Sequence, residues 1–180
     1  SAQEAAGIAD SITANLEAQG SNAGAHAPVS DDPRDVIINV AQTGDLRARL
    51  QDALPRILSD DTTAILERYY ESHFRIHGAL TYRTHALTRQ VGSFLWHRDL
   101  APMGQVHLIV YLTPSGVTSG STQFLGLNQS ARAASLGYHY ENLDSRVREI
   151  ETIFDHVEET PHVHCPELAA GDSLLIPAPR

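Results

Sequence analysis

Apolar residues recur at helical spacing in the first part of the chain and alternate at strand spacing further on. Ala5, Ile8, Ala9, Ile12 and Leu16 fall on one face of a helix over residues 5–18, which Gly20 would stop. Residues 20–34 are small, polar and proline-containing, so they read as a loop, and Asp35–Val40 reads as a short strand. Leu46, Leu50 and Leu54 predict a second helix, which Pro55 should end or kink. Ser59, Asp60 and Asp61 offer N-caps for a third, carrying Ile65, Leu66 and Tyr69. From Phe74 to Leu125 the pattern is strand-like, with turns at Gly78, Gly92, Pro102–Gly104 and Pro114–Gly120. Leu143, Val147, Ile150 and Phe154 predict one inserted amphipathic helix, and a last strand, Ser173–Ile176, follows Gly171-Asp172. Helices first and short strands afterwards imply an α+β chain, mainly β, with a sandwich or barrel behind an N-terminal helical layer. We expect a single domain over 1–180, with helices in 1–73 and the β core in 74–180.

Composition narrows the function classes. With 180 residues, 42% of them hydrophobic, the chain can bury a real core. The net charge is −9 and no basic block occurs, which argues against nucleic acid and anionic membrane as partners. The longest apolar run, Leu108–Leu112, is far too short to span a bilayer, and the start has no signal-peptide pattern. The single cysteine, Cys165, cannot form an intramolecular disulfide and suits a reducing, cytoplasmic setting. All 13 basic residues are Arg, so any chemistry needing a lysine amine is excluded.

That exclusion decides the meaning of His97-Arg98-Asp99-Leu100, which spells a protein-kinase catalytic loop. The Asn that would hold magnesium is replaced by Gly104, and neither a phosphate-pairing Lys, a D-F-G nor a G-x-G-x-x-G is present. The other reading is a metal site. On a strand, His97 and Asp99 would point to one side, with attachment points roughly 6–7 Å apart, while Trp96 and Arg98 face the other way. One imidazole and one carboxylate at that separation suit Fe(II) in a facial triad with open positions.

Around the H-x-D lie further motifs in a definite order. They are Trp96-His97-Arg98-Asp99, the apolar strand Leu108–Pro114, Gly120-Ser121-Thr122-Gln123-Phe124, and Gly171-Asp172 before another apolar strand. This order resembles the Fe(II)/2-oxoglutarate-dependent oxygenases, including their prolyl-hydroxylase-like and phytanoyl-CoA-hydroxylase-like branches, over about residues 83–180. The resemblance implies a double-stranded β-helix (jelly-roll, cupin-like) core. It implies Fe(II), 2-oxoglutarate and O2 as cofactor and cosubstrates, hydroxylation of a small-molecule or peptide substrate, and release of succinate and CO2. His97 and Asp99 take the first two iron-ligand positions. The alternative is a non-catalytic jelly-roll or cupin-like module that binds a metal or ligand without turnover.

The family's second His ligand follows the Gly-Asp strand, and its 2-oxoglutarate-binding Arg comes later still. We expect both beyond Arg180, so that the chain is a fragment whose core lacks its last strands; the rival is replacement by His162 or His164. Other residues are open to two readings each. Arg83 and Arg89 could bind a carboxylate bidentately or remain solvated. Tyr111 could contact cosubstrate or simply pack, and His107, on the same strand face, could support the site or be structural. Thr122 and Gln123 lie where the resemblance brings a core strand to the cosubstrate. The Tyr that contacts 2-oxoglutarate in many prolyl-hydroxylase-like proteins is Thr88 here. Tyr138, His139 and Tyr140 fall on the insert, as a substrate lid or as a surface turn. His162, His164 and Cys165 lack the further ligands that a zinc cluster needs.

Overall fold

The computed structural model describes residues 1–18, 37–84, 92–98, 104–140 and 143–177. The predicted loop over 20–34 lies outside them. The first helix, α1, spans Ala2–Ala18 and buries Ala5, Ile8, Ile12 and Leu16, the spacing its sequence presents, with Ser11 beside them. Strand β1, Ile37–Asn39, pairs antiparallel with β2, Tyr82–Thr84, and the Val40 N–H extends the ladder to Thr81 O.

Helix α2, Gly44–Ile57, packs on α1. It runs through Pro55 for two further residues rather than stopping there. Pro55 sits in the last turn, where few bonds remain to be lost, and the Leu58 N–H still reaches Leu54 O at 2.9 Å. The inward face also differs from the predicted one. Leu46 and Ala53 are buried, with Leu50 and Ile57 beside them, whereas Leu54 is exposed. The first core therefore joins Ile8, Ile12 and Leu16 to Val40, Leu46 and Ala53. Helix α3, Asp60–Tyr70, starts where expected, the Ser59 hydroxyl accepting from the Thr62 N–H, and it buries Leu66 while Ile65 stays exposed.

Within the stretch expected to be strand-like, residues 73–80 form no regular element. Strand β3, Val106–Val110, pairs antiparallel with β6, Ser173–Pro177, and β4, Phe124–Leu125, pairs antiparallel with β5, Val163–His164. A bridge between Ser115 and Leu168 lies between these two pairs. The described strands thus form three two-stranded sheets.

Two helical features depart from the expected pattern. Helix α4, Leu127–Ser135, was not signalled by apolar periodicity, because its one buried residue is the small Ala133. The predicted helix over Leu143–Phe154 is divided into a 3-10 turn at Leu143–Ser145 and a short α5, Glu151–Phe154, followed by a 3-10 turn at Asp155–Val157. A second core gathers Ala133, Tyr138, Tyr140, Ile150 and Phe154, with Trp96, Leu125, Val147 and Val163 packed against it. Among the described residues, no helix is long and apolar enough to cross a membrane.

Candidate functional site

His97 follows a 3-10 turn, Gly92–Phe94, and residues 95–98 are neither strand nor helix. The expected strand at Trp96–Arg98 is absent because the backbone there bonds to the insert rather than to a neighbouring strand. The Trp96 N–H donates to Val147 O at 2.9 Å, and Trp96 O accepts the Tyr138 hydroxyl at 2.6 Å. The same hydroxyl accepts from the Val147 N–H at 3.2 Å. Arg146 adds a bond from Nη1 to Gly92 O at 3.1 Å, and its Nε is buried without a hydrogen-bond partner among the described residues. Tyr138 and Arg146 thus tie the segment before His97 to the second core from two sides.

Two of the three side chains here contact the second core. Trp96 packs into the second core, and the Arg98 guanidinium lies 5.0 Å from the Tyr140 ring centre, a cation–π contact. The His97 ring instead donates from Nδ1 to Leu95 O at 2.7 Å. A carbonyl can only accept, so Nδ1 carries a proton, and Nε2 is the nitrogen that the neutral ring could offer to a metal. That tautomer, with its N–H anchored on a backbone oxygen, is the form in which a histidine presents Nε2 to a metal.

Asp99, Arg89 and Thr88 lie outside the described residues. Among the described residues, no group of three or more His, Cys, Asp or Glu side chains could hold a metal ion.

Other predicted site residues divide into those brought together and those kept apart. The Tyr111 and Thr122 hydroxyls are hydrogen-bonded at 2.9 Å, and the Tyr111 backbone bonds to Asp172 O and to the Gly171 N–H. The Gly171-Asp172 motif is a turn. Gly171 takes φ +96, which L side chains rarely adopt, and a Cβ there would meet the Ser1 backbone at 3.1 Å. The Asp172 carboxylate closes the turn by accepting from the Ala169 N–H at 2.8 Å. Gln123 is exposed next to Thr122. His107 accepts on Nε2 from Gln105, the residue before β3, at 3.1 Å, a local contact.

Arg83 points elsewhere: it donates to Thr13 Oγ1 on α1 at 3.3 Å. Tyr138 and Tyr140 are buried, 4% and 6% exposed, so they are core residues rather than a lid, while His139 is exposed. His162 and His164 are both exposed, with ring centres 4.4 Å apart.

Burial raises the pKa of Tyr138 above the ordinary tyrosine value; the Val147 N–H bond opposes this in part, Tyr140 adds to it and Arg146 opposes it. Its hydroxyl therefore stays protonated and able to donate to Trp96 O. Sequence reasoning placed Tyr138 on a lid or turn and Val147 on a helix face and did not single out Arg146, because hydrogen bonding to the backbone of distant segments leaves no periodicity.

A separate cleft of about 300 Å3 opens between α1 and α2, lined by Asp10, Ser11, Asn15, Asp45 and Arg49 among others. None of the predicted site residues lines it. Its polar groups satisfy one another: Asp45 accepts from Ser11 Oγ at 2.8 Å and from Arg49 Nε at 2.7 Å, and Asn15 donates to Ser11 O. It is a helix–helix seam closed by its own bonds, and the chemistry of the motif residues is a better guide to a site. No protein-family model, characterised protein or solved structure matches the chain.

Proposed function

We propose that this chain is an Fe(II)- and 2-oxoglutarate-dependent oxygenase that hydroxylates a small-molecule or peptide substrate in the cytoplasm. The observation that carries the reading is the His97 ring. Its Nδ1–H is anchored on Leu95 O, which leaves Nε2 as the nitrogen to ligate a metal, and its neighbours Trp96 and Arg98 both contact the second core. His97 and Asp99 would hold the iron. Bound there, Fe(II) with 2-oxoglutarate and O2 would supply the oxidising chemistry, releasing succinate and CO2.

The chain's own residues fix that position. Tyr138, Val147 and Arg146 hold the 92–96 backbone, and the Tyr111–Thr122 hydroxyl pair offers hydrogen bonds to a cosubstrate carboxylate. The strand pairing supports a jelly-roll core. Such a core is a long antiparallel hairpin rolled up, so that inner pairs are enclosed by outer ones. The β4–β5 pair lies between the strands of the β3–β6 pair along the chain, with the Ser115–Leu168 bridge between them.

The test is succinate production from 2-oxoglutarate by the protein expressed from its natural gene and loaded with Fe(II), across a broad substrate panel. Succinate should form and be lost in Asp99→Ala and His97→Ala. Unchanged production in either variant would refute the ligand assignment. Ferrous binding with no succinate would favour a non-catalytic binding module instead.

A further inference from the structure

Outside the residues assigned to iron, one pair of imidazoles has the spacing of a chelate. His162 and His164 are two positions apart on an extended segment, and β5 is paired to β4 with Phe124 opposite His164. Val163, between them, packs against the second core, so the two histidines project from the other face. Pro161, immediately before, is buried and fixes the approach of the chain. Both rings are exposed, with centres 4.4 Å apart and planes at 84°.

Two imidazoles bound cis to one ion at about 2.1 Å have ring centres roughly 4.5 Å apart. The observed ring-centre separation matches that value, the exposed rings can turn out of their edge-to-face packing to bring a nitrogen of each onto one ion, and exposure lets water complete its coordination. Two nitrogens with water oxygens suit tetragonal ions, among which Cu(II) stands highest in the affinity order of divalent first-row metals.

We propose that His162 and His164 form a two-imidazole site for a divalent late transition ion, with Cu(II) bound most tightly, separate from the His97–Asp99 position. The pair can bind such an ion with little loss of freedom, because the strand presents both donors on one side.

Copper(II) titration of the full chain, followed by calorimetry and electron paramagnetic resonance, tests this. Copper also suits the His97–Asp99 donors, so the expected signal is a tight site with two-imidazole nitrogen couplings that persists in His97→Ala. His162→Ala and His164→Ala should each weaken it by about tenfold or more, with circular dichroism unchanged because both side chains are exposed. His156→Ala, at an exposed histidine on another turn, and His97→Ala should leave it intact. Unaltered copper affinity in both strand variants would show the ring pair to be a stacking contact only, overturning the site. Loss of the same binding event in His97→Ala would overturn its separateness, as would loss of succinate production in His162→Ala or His164→Ala. Failure of the oxygenase reading alone would leave the copper result standing, so the two fail independently.

Discussion

The two cores of this molecule exclude water by different means. In the helical layer, Ile8, Ile12 and Leu16 of α1 meet Leu46 and Ala53 of α2 in an aliphatic core that repeats at helical spacing, bordered by the Ser11–Asp45 hydrogen bond and the Glu4–Arg56 ion pair. Beneath Trp96, the core is assembled from Tyr138, Tyr140, Ile150 and Phe154, which sit on turns and short helices. There the packing is tied by hydrogen bonds: Tyr138 bridges Trp96 and Val147, Tyr140 exchanges bonds with Ser130, and the two rings meet edge to face at 4.7 Å. An aliphatic core tolerates repacking, whereas a cluster whose own side chains bond to the backbone fixes the segments it joins. The bonded arrangement holds the segment leading to His97.

Deep truncations should separate the two cores most sharply. Phe154→Ala is expected to cost about 3–5 kcal/mol and Leu46→Ala about 2–5 kcal/mol, since both side chains are almost fully buried; urea unfolding measures each. Only Phe154→Ala should also move the imidazole nitrogen resonances of His97. Equal movement in both variants would erase the distinction between the cores.

Next in size is Tyr138→Phe, which keeps the ring and removes the hydroxyl. Trp96 O and the Val147 N–H would each lose a partner, for a loss of about 1–3 kcal/mol. The His97 resonances should shift without a change in the fold's circular dichroism.

An alkaline limb follows from the same residue. The folded pKa of Tyr138 lies above its ordinary value of 10.0, so the folded state holds this proton more tightly than the unfolded chain. The associated stability is full below pH 10.0 and declines as pH rises from there through the folded pKa. Unfolding midpoints measured from pH 8 to about pH 11 should fall more steeply for the native chain than for Tyr138→Phe.

Glu159→Gln should have the smallest effect. The exposed Glu159 carboxylate is held below its usual pKa by hydrogen bonds from Arg132, at 2.6 Å for the shortest. Its contribution is present above the ordinary carboxylate range and is lost as pH falls through the lowered value. The variant should differ from the native chain only at low salt and should converge with it as salt is added.

The same contrast explains what could be read from the chain. Helices α1 to α3 are visible because Ile8, Ile12 and Leu16, or Leu46 and Leu50, repeat with the helix, and Ser59 marks a start by its side chain. Leu54 misled, since at this register Ala53 turns inward in its place. Strands β3 and β6 are visible as short apolar runs bounded by Gly and Pro. Helix α4 is hidden because it buries only Ala133, whose small side chain adds little to any periodic signal. At the site, His97 and the Tyr111–Thr122 neighbourhood could be nominated from motif order. The role of Tyr138 could not, because it depends on a hydroxyl reaching a backbone oxygen 42 residues away.

The enclosure of β4–β5 by β3–β6 also bears on the order in which the chain assembles. Closing Val110 on Ser173 directly would tie off the whole of residues 111–172 at once. Once Phe124 and Leu125 have found His164 and Val163, only residues 111–123 and 165–172 remain to be drawn in. Loop closure over that shorter span is easier by about 1 kcal/mol, since its entropy scales with the logarithm of length. We expect the inner pair to form first and the outer pair to follow through the Ser115–Leu168 bridge. Substitutions at Phe124 should therefore slow folding, while those in β6 mainly hasten unfolding.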